Sequence, residues 1–179
     1  FFPLLRLDAK QDGQSQFRYA QMPGLQASPE AQADATFAAI PPYFKGAWKP
    51  GRLGTHNVYP DNDGVVRQYR MRHHDRGWTL PALPLTVATA SGAPEQALPD
   101  EMLLNWRGAA FSYHYESFST LYQTLNSSAP HASQHAFKDK IVIIGSTAPA
   151  LFDIKPTAMD KQFPGVEILA TAIDNSLHQ

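Results

Sequence analysis

A chain of 179 residues, 43% hydrophobic and 17% charged, has the size of one domain and enough apolar mass to bury a core. Its 15 Lys and Arg against 16 Asp and Glu leave a formal charge of -1, which provides no overall field for nucleic acid or an anionic membrane. With no cysteine, a disulfide scaffold, a zinc ribbon and a thiol nucleophile are excluded.

In chain order, residues 1–7 read as a strand, 8–15 as a polar link around Asp12-Gly13, and 17–20 as a second short strand. Ala33, Phe37 and Ile40 recur at helical spacing behind Ser28 and Pro29, which predicts a helix over 29–40 that Pro41-Pro42 ends. Residues 52–72 predict a β-hairpin, two Val-, Thr- and Tyr-rich runs meeting at Asp61-Asn62-Asp63-Gly64. A helix is expected over 81–90 with Pro84 in its first turn, followed by short strands at 102–106 and 111–115. Phe118, Leu121, Tyr122 and Leu125 then mark an amphipathic helix capped by Ser117.

The run Ile141-Val142-Ile143-Ile144 before Gly145 reads as a strand at about 140–145 buried on both faces. A loop over 146–163 leads to a last helix over 164–178, with Glu167 suited to the dipole of its first turn and Val166, Leu169, Ala170, Ile173 and Leu177 as its stripe. The fold class expected is therefore α/β, a mixed sheet with helices packed on it, in a single domain. The longest apolar stretches, 80–90 and 141–144, are shorter than the roughly 18 residues that cross a bilayer. The start at Phe1-Phe2-Pro3, with no methionine and no signal sequence, suggests an excised piece.

Several motifs fail on their own chemistry. Laying Gly64 on the fixed glycine of a calcium loop puts Tyr59 at the first ligand position and Arg70 at the twelfth, where a bidentate Glu is required. His131 and His135, four apart, are two imidazoles where zinc needs three or four ligands, so no metal and no cofactor is expected. Ser146-Thr147 follows the expected strand and a glycine, a usual place for a functional loop in α/β sheets, but no nucleophile elbow, phosphate loop or dinucleotide fingerprint accompanies it. Arg67 falls by alternation on the same face as Val65, Tyr69 and Met71, so it requires a carboxylate such as Asp63 or Asp153, or an anionic ligand.

The ordered series Tyr59-Pro60-Asp61-Asn62-Asp63-Gly64-Val65-Val66-Arg67, Asn105-Trp106-Arg107-Gly108 and Lys140-Ile141-Val142-Ile143-Ile144-Gly145-Ser146-Thr147-Ala148 resembles the CHASE type-two family of bacterial extracytoplasmic sensor domains. Leu151-Phe152-Asp153, Pro156-Thr157, Pro164-Gly165-Val166-Glu167 and Ala172-Ile173-Asp174-Asn175 continue it in order. The resemblance implies a non-enzymatic periplasmic or extracellular module, held by flanking membrane segments and feeding a cytoplasmic adenylate cyclase, diguanylate cyclase, histidine kinase or serine/threonine kinase. It also implies an N-terminal portion ahead of Phe1, and a small ligand, an envelope protein or a second copy as partner rather than nucleic acid.

Arg67, Ser146, Thr147, Asp153 and Thr157 carry over as motif positions and stand as candidates for ligand binding or signal coupling. The last helix would lead toward the next membrane segment, with the loop over 146–163 as its fulcrum. Two other classes remain open at this stage: a hydrolase or transferase using the loop after Gly145, and a protein-interaction domain of an envelope complex.

Overall fold

The computed structural model describes residues 1–126, 137–147 and 153–178. Strand β1 (Phe2–Arg6) is the centre of a three-stranded sheet, antiparallel to β3 (Ala39–Ile40) and parallel to β4 (Leu53–Thr55). A second sheet places β7 (Trp78–Pro81) between β2 (Gln26–Ala27) and β6 (Arg72–Asp75), all antiparallel. Strand β5 (Gln68–Arg70) pairs antiparallel with β8 (Glu101–Leu103), and β9 (Ile154–Lys155) with β10 (Phe163–Pro164). Among the described residues there are also four short 3-10 helices and three α-helices: α1 (Leu83–Ala90), α2 (Phe118–Leu125) and α3 (Gly165–Leu177). The class is mixed α/β, built from several small sheets.

Three of the helical expectations hold. Helix α1 takes Pro84 at its first turn, where the missing N–H costs nothing; Ser117 caps α2; and α3 begins just after Pro164. The helix expected over 29–40 does not form. Instead Phe37 is drawn under Phe17 and Tyr19, with ring centroids 5.4 and 4.4 Å apart, and its amide bonds Phe17 O at 2.8 Å. Burial of that one aromatic and its cross-chain hydrogen bonds outweighs a weak helical preference.

The hairpin expected over 52–72 is also corrected. The tight turn is present, with Gly64 at φ 81° and its amide on Asp61 O at 2.8 Å, but the flanking runs go to different partners, β4 to β1 and β5 to β8. The two-residue hairpin lies instead between β6 and β7, where Asp75 faces Trp78 across Arg76 (φ 48°) and Gly77 (φ 80°). Two successive positive φ angles are the type I′ geometry that matches strand twist. Arginine in its first central position hides this turn from a search for Asn-Gly or Asp-Gly.

The buried strand expected at 140–145 is not one. Ile141, Val142 and Ile144 are 45%, 51% and 81% exposed, and no strand is assigned there. The run lies beside α3 rather than between strands: Ile143 packs on the Leu83, Val87 and Ile173 group, and the Gly145 Cα faces Val166 so closely that a Cβ would strike it. The strand expected at 111–115 is likewise absent, since Phe111 sits at φ 66° and its amide points to a side chain on α3.

Among the described residues two larger cores form, with Leu85 of α1 in one and Leu80 of β7 in the other. One gathers Val66, Tyr69, Met71, Leu85, Met102, Phe163, Ile168 and Ala172; the other gathers Leu4, Tyr19, Phe37, Leu53 and Leu80. Helix α1 packs on both β4 and α3. Its approach to β4 depends on Gly54, where a Cβ would overlap the Ala82–Leu83 backbone.

Candidate functional site: the clamps on α3

Arg67 is not on the apolar face. Val66 and Tyr69 are both buried, so the alternation slips between them and turns Arg67 outward, its side chain 41% exposed. There it grips its own turn, donating to Asp61 at 2.8 Å and to both oxygens of Asp63 at 3.0 and 2.7 Å. The guanidinium holds the Asp63 carboxyl down at about 2, helped by the Val65 amide, and the pair of carboxylates raises Arg67. Of the partners considered for Arg67, the structure selects the local carboxylates, a structural fork.

That turn delivers Val66 to Thr157. Their strands bridge in parallel, and the Val66 amide donates to Pro156 O at 2.8 Å. Thr157 is buried; its hydroxyl accepts from the Met159 and Asp160 amides at 3.2 and 3.1 Å and lies 3.2 Å from Asp160 O. It ties the loop before β10 into a tight turn. Asp153 stands at the head of α3. Its carbonyl accepts from the Gly165 amide at 2.8 Å, and its carboxylate lies over the Gly165 Cα, so a Cβ there would have to displace it. A negative group at that end suits the helix dipole. Asp153 also adds to the upward shift of Tyr69, whose dominant cause is complete burial of the phenol. Among the described residues the Tyr69 hydroxyl has no hydrogen-bond partner.

The middle of α3 is held by Glu167. This side chain is 2% exposed, and its two oxygens accept from the Phe111 and Tyr113 amides at 2.7 and 3.2 Å. A buried carboxylate thus replaces the ladder hydrogen bonds that a 111–115 strand would have made. The C-terminal end is held by two further side chains. Asn175 exchanges two bonds with the Asn105 backbone, at 2.7 and 3.0 Å, and Asp174 receives a two-pronged Arg107, its Nε at 2.8 Å. Arg107 and, less strongly, His178 lower the Asp174 carboxyl.

Ser146 and Thr147 lie in a stretch without helix or strand, Ser146 exposed and Thr147 half-buried. The histidines with described hydrogen bonds meet other groups: His74 meets Thr79 and Asp100, His114 meets Glu116, and His178 meets Asp174. His131, His135, Ala148, Leu151 and Phe152 lie outside the described residues. Two of the hollows among the described residues bear on these elements. One of about 380 Å³ is lined by Asn105, Arg107, Asp174 and Asn175, groups already bonded to one another. The other, of about 250 Å³, lies beside α1. Among the described residues no group of His, Asp and Glu could hold a metal ion, and no helix is long and apolar enough to cross a membrane.

The motif residues therefore fall into place as pairs. Val66 meets the Pro156-Thr157 segment, Asp153 meets Gly165, Asn105 meets Asn175, and Arg107 meets Asp174. Sequence reasoning found the segments but not the pairing, and it missed the Glu167 cradle, whose donating backbone amides carry no side-chain signal.

The polar motif residues of this mixed α/β module anchor α3. In a family comparison, the model of the CHASE2 domain matches residues 7–179. The chain belongs to the CHASE2 family, a family of extracellular sensor domains that are sensory rather than catalytic. No curated protein matches it, and no solved structure does.

Proposed function

We propose that the chain is the sensing part of a bacterial transmembrane receptor, facing the periplasm or the extracellular side and anchored by segments outside it. Helix α3 passes the stimulus to a cytoplasmic output domain, a nucleotide cyclase, a diguanylate cyclase or a kinase. The observation that carries this reading is the clamping of α3 at its head by Asp153 and at its tail by Asn105 and Arg107. A helix held at both ends by separate groups moves as a unit when either clamp is rearranged. A ligand biases such a helix only through different affinities for its two packings, and about 5.5 kcal/mol of difference turns a 1:99 population into 99:1.

The test is output of the full-length receptor carrying Asn175→Ala or Arg107→Ala, which remove the side-chain clamps on α3, since the Asp153 clamp is a backbone bond. Either substitution is expected to change the basal output or the amplitude of the response. Output identical to wild type for both, under every stimulus that the receptor answers, would remove α3 as the coupling element.

A further inference from the structure

The formal charge of -1 is unevenly spread. Between Asp34 and Asp61 the chain carries no Asp or Glu, whereas Lys45, Lys49 and Arg52 fall in that stretch. All three are exposed, and none takes part in an ion pair among the described residues. The same stretch exposes apolar mass. Tyr43 is 97% exposed, Ile40 56% and Phe44 42%, where side chains of this size normally bury most of their surface.

These side chains form one surface that is held from behind. The Tyr43 and Phe44 rings lie 6.1 Å apart, and Phe44 meets Phe2 of β1 edge-on at 4.7 Å. The Arg52 carbonyl accepts from the Phe2 amide at 2.8 Å, and the Arg52 guanidinium lies 5.1 Å from the centre of the Phe1 ring. A cation thus closes the far end of the aromatic row. Behind the tip, Ala47 is wholly buried. Trp48 packs on Phe17 with ring centroids 5.2 Å apart, and its indole donates to Pro42 O at 3.0 Å. The Ala47 and Trp48 amides close the turn onto Phe44 O and Lys45 O, both at 3.1 Å. With the backbone so fixed, engaging the exposed rings requires little further ordering of the loop.

We propose that residues 40–52 dock this module on the headgroup region of an anionic phospholipid bilayer. Tyr43 and Phe44 enter the interface, and Lys45, Lys49 and Arg52 meet the lipid phosphates. Amphipathic rings beside Lys and Arg are the composition that membrane–water interfaces select, and a stretch without carboxylates meets a negative surface without repulsion. A tip with its outermost ring almost wholly in solvent suits a fluid interface that closes around it. A folded partner would need a pocket of matching shape. The inference goes beyond the sensor reading and rests on it for its biological use: a module tethered beside a bilayer meets lipid at high effective concentration. The loop leads into β4, which packs on α1, and α1 packs on α3.

The experiment floats the 179-residue chain with vesicles of phosphatidylcholine alone and of phosphatidylcholine with one third phosphatidylglycerol. Binding to the anionic vesicles at least tenfold tighter than to the neutral ones is expected, and it should be lost at roughly 1 M salt, where the Debye length is about 3 Å. Tyr43→Ser, at a side chain almost wholly in solvent, should weaken binding several-fold. Lys45→Gln with Lys49→Gln should remove the preference for anionic lipid. Lys138→Gln with Lys140→Gln, the same loss of charge on another exposed stretch, should change neither. Absence of binding to anionic vesicles, undiminished binding in either loop variant, or an equal loss in the Lys138 and Lys140 control overturns the surface. Self-association that Tyr43→Ser abolishes, in a chain that ignores vesicles, overturns it in favour of a second copy. Tyr43→Ser in the full-length receptor separates the two readings. Vesicle binding lost without any change in output supports the surface and overturns its sensory use, whereas a receptor that answers stimuli while the chain ignores vesicles overturns the surface alone.

Discussion

Glu167 shows how much of this protein's polar chemistry goes into holding the chain. With its carboxylate buried and two backbone amides depending on it, Glu167→Ala should cost about 2–4 kcal/mol, since each buried donor left unpaired carries its own desolvation penalty. Glu167→Gln, retaining one acceptor oxygen, should recover part of that; denaturant midpoints with unchanged slope would measure both. His73 gives the matching prediction for pH. Burial is the main cause that lowers its pKa to about 4 from 6.5, with Arg70 and Arg6 adding to it; its ring lies against Tyr59, and its Nε2 has no partner among the described residues. The folded state therefore disfavours the proton. Stability is full above the unfolded value and falls as pH drops from about 6.5 toward 4, by up to about 3 kcal/mol. His73→Phe, which keeps a ring against Tyr59, should flatten the stability profile in that window. The lowered carboxyls of Asp63, Asp100 and Asp174 lose their contribution at lower pH, below 3.8, so the two effects separate.

Among the elements, α3 meets its head loop at close range. A side chain at Gly165 would meet the Asp153 carboxylate, an exposed group that can swing aside, so Gly165→Ala should cost no more than about 1 kcal/mol, the low end for overpacking. Combined with Asp153→Ala, much of that loss should return, because the second substitution opens the space the first one needs. A double-mutant cycle that comes out additive would show the two sites to be independent. The elements also show where pattern reading succeeds. Helices α1, α2 and α3 were legible because caps, first-turn prolines and apolar spacing act within one or two turns. The burial of α3 was only half legible. Of the expected stripe, Leu169, Ile173 and Leu177 face the Leu83 and Val87 side and Val166 faces Gly145, while Ile168 and Ala172 enter the main core and Glu167 faces the 111–115 loop. No single stripe describes a helix covered on three sides.

For the molecule as a whole, α1 is shared between the β4 side and the α3 side, so the two larger cores should unfold together. Ile168→Ala, at a position with no exposure in the main core, should lower stability by about 2–5 kcal/mol. The loss should appear in one cooperative transition followed equally by fluorescence of Trp48 in the second core and of Trp106 beside the main one. Two separated transitions would instead mark the cores as independent units.

Family, class and the order of the motif segments could be read from the chain alone, because an ordered series of short motifs over 59–175 is far more specific than any one of them. Local devices could be read too: the positive-φ turn at Gly64, the cap at Ser117 and the proline-led start of α1 all act between near neighbours. Partnership could not. Whether the run before Gly145 becomes a buried strand or an exposed stretch beside α3, and whether β5 pairs with β4 or β8, depends on which distant backbone groups compete for the same hydrogen bonds. The same holds for Arg67, whose side chain turned outward because a slip in alternation at Val66 and Tyr69 reversed its face. Tertiary packing alone also laid Phe2 of β1 against Phe44, since rings on two separate segments carry no common spacing in the sequence.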